Sequence, residues 1–173
     1  ITTKMSKSLR NVVNPDDVIA AFGADTFRLY EMYMGPLEAS KPWNTRDIAG
    51  LLRFLQRAWR LVVHEETGAL ALAESENADV ERQLHRTIAK VEGDIERLAF
   101  NTAIAALIAV VNAATGPGLS KSQAERFARV LAPFAPHMAE ELWSRLGMPG
   151  TIALASWPAY DPAQLKDANV EAH

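Results

Sequence analysis

From residue 45 onward the apolar positions recur at three- and four-residue spacing, in blocks separated by polar or glycine- and proline-bearing breaks. Ile48, Leu51, Leu52, Leu55, Trp59, Val62 and Val63 share one face of a helix predicted from about Asn44 and Thr45 to His64. Leu84, Ile88, Val91, Ile95 and Leu98 step by four and three, the seam of a helix packed against others. Ile104, Leu107, Ile108 and Val111 form a third inner face, with Asn101 expected to cap that helix and Gly116-Pro117-Gly118 to end it. A last helical region runs from about Ser122 to Leu146, with Phe127, Leu131, Phe134, Met138, Leu142 and Trp143 inward. Pro133 and Pro136 should split or kink it, because each lacks a backbone donor and crowds the preceding turn. Beyond Gly147 the pattern predicts short extended pieces and a polar tail.

The first third reads differently. Asn14-Pro15-Asp16-Asp17 opens a helix: Asn14 can cap, Pro15 suits the first turn, and the two acids favour the positive end of the dipole. Gly23 ends it. A second short helix, about Ala24 to Met34, turns Phe27, Tyr30 and Met34 inward and stops at Gly35-Pro36. A polar, acidic link from Glu74 to Asp79 divides later helices, and no internal repeat or low-complexity tract interrupts the chain. The fold class is therefore all-α: an antiparallel helical bundle preceded by a short helical connector.

Composition narrows the function classes. The 173 residues suit one compact body, and 49% hydrophobic with 23% charged residues is ordinary globular usage. No apolar run is long enough for a membrane span and no signal-peptide order opens the chain, so a soluble cytoplasmic protein is expected. Without cysteine there is no disulfide and no thiolate zinc site. The net charge of -3 hides an asymmetry: residues 1–64 carry nine Lys and Arg against six Asp and Glu, and the rest carry nine against fifteen. Only the first third is able to attract phosphates. The opening Ile-Thr-Thr, with no initiator Met, reads as a piece cut from something longer.

The candidate chemistry starts in ITTKMSKSLRN, where Lys4 and Lys7 stand on a segment with no room to be core. A lysine ammonium is a compact charge on a flexible stem, suited to follow a phosphate whose charge moves during reaction. In attack on a nucleotide's α-phosphate, negative charge builds on the phosphoryl oxygens and the departing pyrophosphate, and a cation meeting it there lowers the barrier. Lys7 is the candidate for that role; Ser6 and Ser8 keep the loop small and hydrogen-bonding, and Lys4 is a second cation or anchor. A solvated basic loop or a kinase site is the plainer alternative. Against it, the pentad KMSKS is expected by chance in a chain of this length on the order of once in ten thousand.

KMSKS is the second signature of class I aminoacyl-tRNA synthetases. Its continuation, NVVNPDDVIAAFGADTFRLYEMYMGPLEASKPWNTRDIAG, resembles the bacterial leucyl-tRNA synthetases, as do RFLQRAWRLV, LAFNTAIAAL, LAPFAPHMAEELW and SWPAYDP further on. YEMYMGPLE with SKPWNT is the more specific to the leucine enzymes, whereas LAPFAPHMAEELW is shared with relatives for valine and isoleucine. The resemblance implies ATP bound by Lys4, Ser6, Lys7 and Ser8, and residues 1–45 as that loop and connector. It implies 46–155 as an anticodon-binding type bundle, and 156–173 as a tail leading to an absent C-terminal domain. For the whole enzyme it implies ATP and Mg2+, leucine and tRNA(Leu), with no dedicated metal site in these residues. The histidine motif and nucleotide-binding sheet of class I enzymes are missing, so the fragment should not catalyse alone. Where the family often has a glycine just after the pentad this chain has Leu9-Arg10, which should restrict the loop's backbone. A free-standing helical tRNA-binding module, or a valyl or isoleucyl fragment, are the alternatives.

Further residues bear on RNA and on the loop. On an ideal helix Arg46, Arg53, Arg57, Arg60 and His64 fall within an arc of about 60° that holds no carboxylate, which favours a phosphate-tracking stripe over a solvated mixed-charge face. Contacts of that kind position RNA without specifying sequence. Trp43 is a packing anchor or, beside Lys41 and Pro42, a base-stacking platform. Asp25 and Arg28, three apart, are able to pair on their helix, and the family pattern GAD-x-x-R implies that they support the signature loop. His64, His85, His137 and His173 form no pattern of a base or metal cluster.

Overall fold

The computed structural model describes residues 4–166; His173 and the end of the tail lie outside them. Among the described residues seven α-helices follow one another: α1 (Pro15–Phe22), α2 (Ala24–Tyr33), α3 (Thr45–Arg60), α4 (Ala78–Glu96), α5 (Phe100–Ala114), α6 (Lys121–Leu131) and α7 (Pro136–Arg145). No strand forms among the described residues, which contain only an isolated antiparallel bridge between Val63 and Leu70. No described helix is long and apolar enough to cross a membrane.

Capping chemistry explains most of the helix starts. Asn14, Asn44 and Asn77 accept backbone N–H groups at the heads of α1, α3 and α4. Ser120 and Gln123 form a reciprocal capping box on α6. α5 is apolar almost all round, as a central helix must be, and packs against α2, α3 and most heavily α4. Ile104, Leu107, Val110 and Val111 are fully buried there, each worth roughly 1.5–3 kcal/mol of transfer free energy.

Several boundaries differ from the sequence expectation. α3 stops at Arg60 rather than His64, and Val62 and Val63 reach the core from a turn closed by His64 N–H on the Ala69 carbonyl (2.8 Å). Asn101 caps nothing: α5 begins at Phe100 behind Ala99, because Leu98 takes a left-handed φ of 56° and turns the chain one residue earlier. Leu98 therefore leaves the seam and is 58% exposed. The helix pattern broke where the two prolines required, giving α6 and α7 in place of one long helix. Past Gly147 the extended pieces are interrupted by 3-10 turns at Ile152–Leu154 and Pro162–Leu165, the second packed on α4.

Candidate functional site

The opening loop is stitched to itself. Asn11 Oδ1 accepts the Ser6 N–H at 2.8 Å, and the Asn11 amide donates to the Lys4 carbonyl at 3.2 Å. Ser6 Oγ accepts the Leu9 N–H (3.2 Å) and lies 3.1 Å from Ser8 Oγ. The two serines are thus spent on shape, and the ammonium groups of Lys4 and Lys7 stand exposed, with no bond to the described residues. Two such cations fit a polyphosphate; among the described residues no three or more carboxylate or imidazole side chains gather into a group that could hold a metal ion. Sequence reasoning passed over Asn11, although an Asn just after a turn is a familiar loop tie. Arg10 adopts φ 50°, a left-handed conformation that costs a non-glycine residue roughly 1 kcal/mol, so the absent glycine is felt there. Met5, 42% exposed, lines a groove of about 370 Å³ with Met32, Met34, Leu37, Lys41 and Trp43.

The arginine stripe divides in two. Arg46 and Arg53 are exposed and make no ion pair among the described residues. Arg60 Nε instead meets Glu65 at 2.8 Å, and Arg57 donates to Thr115 Oγ1 at 3.0 Å. The Arg60–Glu65 hydrogen bond holds the Glu65 carboxyl below the usual glutamate range and raises the Arg60 guanidinium. A helical wheel misses this pairing because Glu65 lies past the end of α3 and folds back. His64, in the same turn, is off the helix and off the stripe.

Asp25 and Arg28 do not pair with each other. The buried Asp25 carboxylate accepts the backbone N–H of Met138 (2.8 Å) and of His137 (3.3 Å), and its Oδ1 lies 2.8 Å from His137 Nδ1. Arg28 donates to the Pro133 carbonyl at 3.0 Å. Both bonds run from α2 to the corner between α6 and α7, not to the opening loop. Trp43 is a packing anchor: its ring meets Tyr30 edge-on at 5.0 Å and Phe27 at 6.3 Å, and its indole N–H donates to Thr45 Oγ1. Tyr30 is buried, its hydroxyl accepts the Asn44 N–H at 2.8 Å, and burial pushes its phenol up.

Two polar clusters escaped the sequence reading; each joins partners three or four residues apart on α4 to side chains of another helix. The buried Asp94 takes Lys90 Nζ (2.6 and 2.5 Å), Arg97 (2.8 Å) and the Thr102 hydroxyl (2.6 Å). Burial opposes its ionisation, but the bonds from Lys90, Thr102 and Arg97 outweigh burial and hold its carboxyl below the usual aspartate range. Glu81 receives a bidentate pair from Arg126 (2.7 and 2.9 Å), a bond from Gln123 (3.0 Å) and His85 Nε2 at 2.9 Å. Here too the bonds outweigh burial and lower the carboxyl. The other nitrogen of His85 accepts the Asp161 N–H at 3.1 Å, tying the tail to α4.

The family described as the anticodon-binding domain of tRNA ligase matches residues 77–173, and that of class I tRNA synthetases (I, L, M and V) matches residues 2–41. The leucine–tRNA ligase of Salinispora arenicola (strain CNS-205) is 52% identical over 161 residues, 92% of this chain and 17% of that protein. Leucine–tRNA ligase 1 of Rhizobium johnstonii (strain DSM 114642 / LMG 32736 / 3841) is 49% identical over 166 residues, 94% of this chain and 20% of that protein. In the crystal structure of the ternary complex of Agrobacterium radiobacter K84 agnB2 LeuRS-tRNA-LeuAMS, a chain 31% identical matches with a TM-score of 0.78. That match covers 94% of this chain and 23% of that one. The chain spans 17–20% of the length of the curated relatives it matches. With the first family matched over more than half of the residues and an all-helical fold shared with a solved relative, the chain belongs to the family of anticodon-binding domains of tRNA ligases.

Proposed function

We propose that the chain is part of a cytoplasmic leucine–tRNA ligase, which activates leucine with ATP and magnesium and passes it to tRNA(Leu). Residues 1–45 are the signature loop and connector at the end of the catalytic domain, 46–155 the tRNA-binding bundle, and 156–173 the lead into a further domain. The observation that carries this reading is the likeness of 49–52% identity to leucine–tRNA ligases over 92–94% of the chain. In it, Lys7 meets the charge that builds as pyrophosphate leaves, and Lys4 binds the same polyphosphate. Ser6 and Ser8, already joined to each other and to Leu9, hold the loop's shape. Arg46 and Arg53, with Arg57 and Arg60 in a lesser role, meet tRNA phosphates. In this reading leucine is bound by other parts of the ligase, and the 173 residues are not expected to catalyse alone.

The test is leucine-dependent ATP–pyrophosphate exchange by the intact protein, run in parallel with valine and isoleucine. Lys7→Ala is expected to lower the exchange rate roughly 100- to 1,000-fold, the loss typical of removing one preorganised charge-stabilising group. Exchange as fast as wild type ends the role proposed for Lys7, and preference for valine or isoleucine ends the leucine assignment.

A further inference from the structure

Pro133 and Pro136 break the chain between α6 and α7, and the break leaves specific backbone groups without helical partners. The Pro133 carbonyl would take a helical bond from residue 136 or 137, but Pro136 has no N–H and the His137 N–H points to Asp25. Ala135, at the head of α7, has no side chain that caps. Helix α2 repairs both sides of the break. Asp25, in its first turn, supplies the anion that the start of α7 lacks, and Arg28, one turn further on, supplies the donor that Pro133 lacks.

The far end of α2 faces the opening loop. Glu31, Met32 and Met34 line the same groove as Met5, inside the KMSKS pentad. α2, 10 residues and about 15 Å long, packs on α3 and α5 through the buried Leu29 and Tyr30, meets the α6–α7 corner at one end and borders the loop at the other.

We propose that Asp25 and Arg28 are positioning residues: by clamping α2 onto the α6–α7 corner, they fix where Lys7 stands relative to the bundle. This rests on the ligase reading above, since a position for Lys7 matters only if Lys7 meets a reacting phosphate. The clamp acts through α2, and neither residue touches substrate.

Two measurements test it. In the 173-residue chain, Asp25→Ala is expected to speed hydrogen exchange of the His137 and Met138 amides and of α1 and α2 about tenfold or more. The α4 and α5 amides should keep their protection, and Asp25→Asn, which retains an acceptor oxygen, should restore most of what is lost. In the intact protein, Asp25→Ala should lower kcat for leucine-dependent pyrophosphate exchange about tenfold while KM for leucine moves less than about twofold. On a Lys7→Ala background the same change should cost no more than about twofold further, because both substitutions act on one group.

Connector amides that exchange as in wild type overturn the clamp. Additive losses for Asp25→Ala and Lys7→Ala overturn the positioning role and leave Asp25 a cap alone. A wild-type protein that exchanges pyrophosphate with no amino acid sinks the ligase reading, and the positioning role falls with it. A wild-type protein that exchanges normally confines either failure to the clamp.

Discussion

The divided arginine face leads to a quantitative expectation for RNA binding. Each phosphate neutralised by a protein cation releases counterions, so log affinity falls against log salt with a slope of roughly 0.7–0.9 per contact. Arg46 and Arg53 have no competing acid and should each contribute in full, whereas Arg60 already answers Glu65 and Arg57 is spent partly on Thr115. Replacing Arg46 and Arg53 together by Ala should therefore flatten the slope by about 1.4–1.8. Between about 50 and 200 mM salt, a fourfold change, that flattening corresponds to roughly a 7- to 12-fold smaller loss of affinity on going to high salt. Replacing Arg57 and Arg60 together should flatten it less, and Glu65→Gln should tighten binding by releasing Arg60. The assay is fluorescence anisotropy of labelled tRNA(Leu) titrated with the 173-residue chain across a salt series. An unchanged slope in the Arg46 and Arg53 double variant, or a larger effect from Arg57 and Arg60, refutes the reasoning.

Two stability predictions accompany it. Asp94→Asn should cost about 2 kcal/mol at neutral pH in urea unfolding, less than for a fully buried pair because Lys90 and Arg97 remain 47% and 68% exposed. Since the folded Asp94 carboxyl lies below its ordinary 3.8, its stabilisation is full above that pH and fades as the pH falls towards the folded value, so the wild-type advantage should shrink in acid. A cost that stays constant from neutral pH to about pH 2 counts against this account. Tyr30→Phe leaves the Asn44 N–H without its acceptor and should lower stability by about 1–2 kcal/mol in the same assay. Because burial raises the Tyr30 phenol above its ordinary 10.0, wild-type stability should also fall as the pH rises past that value, and the Phe variant should lose this component.

The legible parts of the molecule were those written in local spacing. Helix faces such as Ile48, Leu51 and Leu55 came from periodicity, and the Asn14 and Pro15 start came from capping chemistry. The split at Pro133 and Pro136 followed from a missing donor. What escaped notice depends on partners brought together by tertiary folding. Asp25 reads locally as a partner for Arg28, yet it bonds to residues 112 and 113 positions later. Glu65 reads as loop, yet it neutralises part of the arginine face. Asp94 has its two cations four residues before and three after it, but only packing against α5 buries it and adds the Thr102 hydroxyl. In the opening loop the residue types were legible but the tie from Asn11 was not, because a side-chain bond to a backbone five residues back leaves no periodic trace.

The order of synthesis gives the remote cap on α7 a further consequence. A chain leaves the ribosome amino end first, so α2 and its carboxylate are out long before Pro136 emerges. Helix α7 is thus born with its capping carboxylate already present, whereas a denatured chain refolding from its full length must find that partner, more than a hundred residues away, while every other segment competes for it.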